Sequence, residues 1–460
     1  MKDSLCKLAT ISGVIGISLL GGFPGEGFAE GDLVQGQEVA LTECPGWLIQ
    51  SSTAPAIESN ALYWFVQGMP THPAGGHFRF RSEFPRARYM SWQDHDFFGN
   101  STALLADTEI VPDRGDNPFL PNTPYSPGSS YTVDLVDVPL EARPLKPPRP
   151  ANILYGGYRY DGRETEYNAV AYRVYLPDPG TDSLGGVPRP DFYFVVDDPA
   201  KTGLEDIRKM CEKMREVQEA EKQALVAVVQ STGSIDEMRK AQLSDSEKKD
   251  LGLHVVDGPS AENAVQQPSA SLFNNDLALY QAVTPNPNGR GTYYNAQTGY
   301  LEVFLNPSRD EVTVMRFRAP TFPDTQGIRN PQGIPEDISG NEQIRYWSLC
   351  MHNATSLLST TGCLYDAKLA QDGDGYVTVA FSNPENRPAN AANWLPTTDI
   401  IPALILRHMQ PNPAFAEALL YYTGAKDDSA AIAAHMGEYF PLVATCSKAG
   451  FERDRCGLGP

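Results

Sequence analysis

The stretch "RYMSWQDHD" runs from Arg88 to Asp96, and "RYWSLCMHN" runs from Arg345 to Asn353, 257 residues later (345 − 88). Four of the nine positions are identical: Arg, Tyr, Ser and His. Both stretches are short, rich in aromatic and apolar residues, and alternate in polarity, as strands do. Side chains of a strand point alternately to its two faces. One face therefore carries Met90 and Trp92, or Trp347, Leu349 and Met351, and is expected to look into a core. The other carries Tyr89, Ser91, Gln93 and His95, or Tyr346, Ser348, Cys350 and His352. That second face is expected to be hydrogen-bonded and open to solvent or covered by a loop, with Tyr89, His95, Tyr346 and His352 as candidate binding residues.

The repetition extends in both directions with its order kept. "HFRFR" (77–81) corresponds to "VMRFRAP" (314–320), and "LLADTEI" (104–110) to "CLYDAKL" (363–369). "YTVDLVDVPLEARP" (131–144) corresponds to "YVTVAFSNPENRP" (376–388), and "AYRVYLP" (171–177) to "ILRHMQP" (405–411). Length differences are confined to the gaps, where surface loops tolerate them. The expectation is a mainly β chain: two tandem, similar, antiparallel β-sandwich domains of jelly-roll-like form, over 45–198 and 285–413. Between them, 199–284 reads as a helical insert and polar linker. "KTGLEDIRKMCEKMREVQEAEKQALVAVVQ" (201–230) is rich in strong helix formers without an internal proline, and 234–251 has a capped, acidic start. Residues 414–460 read as a helical C-terminal tail.

Residues 1–29 have the three-part layout of a secretory signal peptide: lysines, a short apolar run and small residues before a cut after Ala29. No later stretch is long and apolar enough to span a bilayer, so no membrane insertion is expected after cleavage, and the chain should be secreted or periplasmic. Past the leader lie Cys44, Cys211, Cys350, Cys363, Cys446 and Cys456. Six cysteines allow 15 pairings; short spacing favours Cys350–Cys363 and Cys446–Cys456, which leaves Cys44–Cys211. The formal charge of −20 and a pI near 4.8 argue against nucleic acid as a partner.

The second half resembles a bacterial family of exported proteins of unknown function. The residues that carry the likeness are Tyr346-Trp347-Ser348-Leu349, the loop Asn393-Trp394-Leu395-Pro396, and Arg407 with Pro411. The resemblance spans 341–413 and implies a jelly-roll-like antiparallel sandwich and an exported location, with no known activity. The first half lacks the W-L-P loop and has Met90 in place of the aromatic, as in a diverged copy.

Few patterns point to chemistry. Ser and His four residues apart on one strand lie about 13 Å from each other, too far to act as nucleophile and base within that strand. No G-x-S-x-G elbow, no CxxC and no spaced calcium loop occurs, so neither a metal nor a cofactor is expected. "QDGDG" (371–375) reads as an Asp-Gly hairpin turn. Arg88 and Arg345 start an apolar face and need partners; Asp107 and Asp366 on the next strand are expected to supply them within each domain. On that basis loss of either arginine should unfold its own domain, and loss of His95 or His352 should be mild. "ANILYGGYRYDGRETEYNAVAYRVY" (151–175) holds six tyrosines. Tyr155, Tyr158 and Tyr160 there are candidate contacts for a glycan or protein partner. Asn100-Ser101-Thr102 and Asn353-Ala354-Thr355 fit the glycosylation pattern. Together these point to an exported, non-catalytic binding or structural protein of the cell envelope or medium. The alternative is an exported hydrolase of a glycan or similar polymer, since glycosidase carboxylates have no local spacing.

Overall fold

A computed structural model describes residues 33–41, 44, 46–49, 58–96, 99–144, 150–159, 162–231, 265–266, 270–273, 294–305, 310–353, 359–397, 402–425 and 428–458. The signal peptide, the expected helix at 234–251 and Tyr160 lie outside the described residues.

The first unit contains β1 (Glu38–Ala40), β2 (Leu48–Ile49), β3 (Ala61–Pro70), β4 (Gly76–Glu83), β5 (Ala87–His95), β6 (Ser101–Ala106), β7 (Ser130–Asp137), β8 (Ile153–Gly156), β9 (Tyr167–Pro177) and β10 (Asp191–Val196). Helix α1 (Leu204–Ser231) follows it. The second unit contains β11 (Val265–Gln266), β12 (Ala270–Phe273), β13 (Thr298–Phe304), β14 (Glu311–Arg318), β15 (Ile344–Asn353), β16 (Ser359–Tyr365), β17 (Tyr376–Ser382), β18 (Asn393–Pro396), β19 (Pro402–Pro411) and β20 (Leu442–Ser447). Helix α2 (Ser429–Met436) precedes β20, and α3 (Lys448–Asp454) follows it.

Among the described residues these strands form four five-stranded sheets, and their orders match strand for strand. β1-β10-β4-β7-β8 corresponds to β11-β20-β14-β17-β18, and β2-β3-β9-β5-β6 to β12-β13-β19-β15-β16. The pairing is antiparallel apart from β7–β8 and β17–β18, one parallel edge pair in each unit. The protein is mainly β, built as two β-sandwiches. Two boundaries drawn from sequence are corrected. β20 pairs with β14, so the segment "LVATCS" in the supposed helical tail is a strand of the second sandwich. Its β-branched residues suit that place. β11 and β12, inside the supposed insert, are edge strands of the same unit.

The sheets stack in four layers. Phe78, Phe80, Val133 and Phe194 of the first outer sheet pack on Trp64, Met90, Trp92 and Tyr172 of the first inner sheet. The opposite face of that inner sheet carries Tyr63, Phe65, Tyr89 and Tyr175, which pack on Tyr346, Tyr365 and Met409 of the second inner sheet. The second inner sheet then covers its own outer partner through Leu301, Trp347, Leu406, Phe317 and Val379. The inner sheets are thus buried on both faces, and β9 and β19 are buried almost end to end. Outer strand β7 keeps the alternation of a half-solvated sheet.

Residues Ile207, Cys211 and Met214 of α1, at helical spacing, close one end of the first core. Gly68 permits this approach, because a Cβ there would meet Val217 at 2.9 Å. The disulfides are Cys44–Cys211, Cys350–Cys363 and Cys446–Cys456, as the spacing predicts. Among the described residues no helix is long and apolar enough to cross a membrane.

His408 lies opposite Trp347 on the core face of β19 and is fully buried beside Phe415. Burial pushes its pKa down to about 3. The folded value is below the ordinary value of about 6.5, so its contribution to stability is present above pH 6.5 and lost as pH falls toward 3. Between pH 7.5 and pH 5 this one group should remove about 2 kcal/mol. Chemical denaturation of His408→Leu against wild type at both pH values should show the acid-limb slope reduced by that amount. Equal slopes would mean that His408 is protonated in the fold.

Candidate functional site: the junction of the two units

The twice-written strands meet at the centre of the stack. Arg88 and Arg345 are both buried, and each finds a carboxylate, but not the one on its own unit. Arg88 Nη1 pairs with Asp366, and Arg345 Nη1 pairs with Asp107 at 3.2 Å. The expectation of pairs within each domain is corrected: the pairs are crossed. The local geometry gives the reason. Asp107 already accepts from the Thr108 amide at 2.7 Å and the Met90 amide at 3.5 Å. Asp366 accepts from the Ala367 amide at 2.6 Å and the Trp347 amide at 3.0 Å. Each aspartate is thereby pinned to its own unit by backbone donors, and its remaining capacity is met from the other unit. Burial pushes both carboxyls up, and the opposing arginine pulls them back. Gln410 adds a further bond to Asp107 at 2.9 Å, and Arg345 also donates to the Arg88 and Phe119 carbonyls at 3.2 Å.

The second crossing is made by the segments that precede β3 and β13. Asn295 and Gln297, from the second unit, lie over the first: Tyr89 Oη donates to Gln297 at 2.6 Å, and Asn295 Nδ2 donates to Tyr89 Oη at 3.0 Å. Gln93 donates to the Tyr294 carbonyl at 2.9 Å. Glu58, from the first unit, lies over the second. It accepts from the Ser348 hydroxyl, lies 3.6 Å from Arg407 Nη1, and its Oε2 sits 3.2 Å from Cys350 Sγ. That sulfur is in a disulfide and has no proton to give, so this is a contact and not a hydrogen bond. The segments are equivalent, since the Asn60 carbonyl receives Leu176 N and the Gln297 carbonyl receives Gln410 N. Leu176 and Gln410 both have φ of +47°, a strained conformation repeated before the two closing prolines.

Inside each inner sheet an arginine is held in the same way. Arg173 lies opposite Tyr63 and Ser91, with its guanidinium 5.6 Å from the Tyr63 ring. Arg407 lies opposite Tyr300 and Ser348, 5.7 Å from the Tyr300 ring. The first also donates to Gln93 and lies 3.3 Å from His95 Nε2. Sequence reasoning placed Tyr89, His95, Tyr346 and His352 on an open or loop-covered face. All four are fully buried, because the facing inner sheet and the crossing segments together cover that face. His95 Nδ1 faces the Ala169 carbonyl at 3.3 Å, and His352 Nδ1 faces Thr360 Oγ1 at 3.1 Å. Burial drives the His95 pKa well down. Arg173 and Arg407 were legible as lone charges inside apolar strands, whereas nothing marked Glu58, Asn295 or Gln297.

The remaining candidates scatter. Asp94 takes the Thr102 hydroxyl, and Asp96 takes the Asn100 side chain at 3.0 Å, so "QDHD" does not converge on one point. Buried Asn100 is no free glycosylation acceptor, and Asn353-Ala354-Thr355 falls partly outside the described residues. Tyr155 is buried, with Arg143 5.8 Å from its ring; the equivalent pair is Arg387 on Trp394 at 4.7 Å. Of the tyrosine-rich stretch, Tyr158 and Tyr167 stay half-buried, beside the exposed Glu164, Glu166 and His72. Among the described residues, Glu58, Cys350 and Cys363 bring potential metal-ligand atoms within 4.8 Å of one another.

No family model and no curated protein matches the chain. Solved structures similar to it include the following two. An uncharacterised protein from Burkholderia cenocepacia matches with 15% identity and a TM-score of 0.46, over 88% of this chain and 82% of that one. A protein from Vibrio parahaemolyticus matches with 12% identity and a TM-score of 0.39, over 84% of this chain and 92% of that one.

Crossed pairing makes a direct test possible. Arg88→Ala and Arg345→Ala should each cost about 3–5 kcal/mol, the penalty for orphaning a buried charge. Because the partners lie on opposite units, both variants should still melt in a single transition. A double-mutant cycle should give a larger coupling for Arg88 with Asp366 than for Arg88 with Asp107. A larger coupling within one unit would refute the crossing.

Proposed function

We propose that this chain is an exported, non-catalytic binding or structural protein of the cell envelope or medium, secreted or periplasmic, and a member of the exported family that its second half resembles. One observation carries the reading. The arginine, tyrosine, serine and histidine present in both repeated strands are all buried in the fold and present no open polar cluster to a substrate. Ser348 donates to Glu58 while His352 engages Thr360, so the repeated serine and histidine do not form a nucleophile–base pair. Three disulfides suit an oxidising compartment.

The surface best suited to a ligand is the half-exposed tyrosine edge. Tyr158 and Tyr167 each donate to a neighbouring carboxylate, Glu164 at 3.3 Å and Glu166 at 2.6 Å. His72 packs edge-on to Tyr158 at 5.5 Å. Flat rings beside hydrogen-bond acceptors suit a hydroxyl-rich neutral ligand such as a glycan, and the acidic surface disfavours anionic ones.

A screen of neutral and acidic glycans on the mature protein should find neutral binders without turnover. Tyr158→Ala and Tyr167→Ala should each weaken binding by about 3- to 10-fold, the worth of one ring contact, with unchanged melting temperature. Hydrolysis of any bound glycan would overturn the non-catalytic reading in favour of a hydrolase. Binding indifferent to both substitutions would move the ligand surface elsewhere.

A further inference from the structure

Cys350 and Cys363 face each other across β15 and β16 in direct register, so their sulfurs leave the sheet on one side. Glu58, fully buried, is held over them by the segment that crosses from the first unit. The Ser59 amide donates to Cys363 Sγ at 3.4 Å. We propose that reducing this disulfide creates a site for one thiophilic divalent cation, such as Zn2+, with Cys350 Sγ, Cys363 Sγ and Glu58 Oε2 as ligands.

Tetrahedral Zn2+ binds sulfur at about 2.3 Å and carboxylate oxygen at about 2.0 Å. Those bonds place sulfur about 3.5 Å from oxygen and the two sulfurs about 3.8 Å apart. The contact between Glu58 Oε2 and Cys350 Sγ is already 3.2 Å, and all three ligand atoms lie within 4.8 Å of one another, so small shifts with the sulfurs parted reach this geometry. The fourth position falls to water or to the Ser348 hydroxyl, which already donates to Glu58.

Charge favours the same occupant. Two thiolates and one carboxylate carry three negative charges. Arg407, 3.6 Å from Glu58, supplies one positive charge. A divalent cation brings the buried cluster to neutrality, which burial requires.

The chemistry balances. A thiol reductant gives the disulfide two electrons and two protons and is itself oxidised to its disulfide. Cation binding then expels the two cysteine protons, so affinity should rise with pH. The first unit is a built-in control. Its equivalents of Cys350, Cys363 and Glu58 are Gln93, Leu104 and Asn295, which offer no thiolate or carboxylate.

Co2+ added to the full mature chain is the test, because thiolate-to-cobalt bands report sulfur ligation directly. The reduced wild type should bind one equivalent with such bands, and the oxidised protein should show none. Reduced Cys350→Ser/Cys363→Ser should lose them. Loss of a mere supporting partner around a metal costs about 10–100-fold in affinity, so Glu58→Gln should weaken binding by at least about 10-fold. If Glu58→Gln does not fold, the double cysteine variant carries the test alone. The site is refuted by reduced wild type without bands, by bands that persist in the double cysteine variant, or by a folded Glu58→Gln that binds as tightly as wild type.

Discussion

Two buried guanidiniums and two buried carboxylates, exchanged between the units, set the terms for the rest of the structure. An unpaired charge in a core costs several kcal/mol, and its partner must have good geometry to offset the lost hydration. Here neither unit supplies its own partner. Arg88 reaches Asp366 and Arg345 reaches Asp107, so a separated unit would expose one arginine and one aspartate that only the other can satisfy. The chain is better described as one four-layer body with internal two-fold character than as two beads on a linker.

Crossing has consequences for every neighbour. Once the inner sheets pack face to face, no polar group between them can turn to water. Tyr89 is met by Gln297 and Asn295, Ser348 by Glu58, and the two mid-strand arginines lie against tyrosine rings. Buried polar groups of this kind require partners, since leaving one unpaired is costly. That requirement accounts for the segments before β3 and β13, which bring hydrogen-bonding side chains onto the opposite unit.

The duplication was legible because strands carry a period of two and because the repeated words keep their order. Five of the segment matches fall on equivalent strands, from β4 and β14 to β9 and β19. β20 was missed because proline and a run of alanines precede it, and only pairing with β14 makes "LVATCS" a strand. The burial of Tyr89, His95, Tyr346 and His352 was illegible for a related reason. Alternation along β5 predicts one core face and one polar face, but not what covers the polar one. The two aspartates were identified and misassigned: sequence spacing shows which charges need partners, whereas the partner's address depends on packing between units. Glu58 stands alone in a polar segment and gave no signal.

The copies differ in a pattern that follows from this division. Positions that make the crossed ion pairs are the same in both: Arg88 and Arg345, Asp107 and Asp366. Each would orphan a buried partner if changed alone, so the two copies constrain each other. Positions that face a crossing segment are less uniform: Tyr89 and Ser348 match their counterparts, whereas others differ. It is there that the copies part: Gln93, Leu104 and Asn295 on one side of the junction, Cys350, Cys363 and Glu58 on the other. A symmetric scaffold held by exchanged charges therefore leaves two covered sites free to differ in chemistry, one built from two amides and a leucine and one from sulfur and a carboxylate.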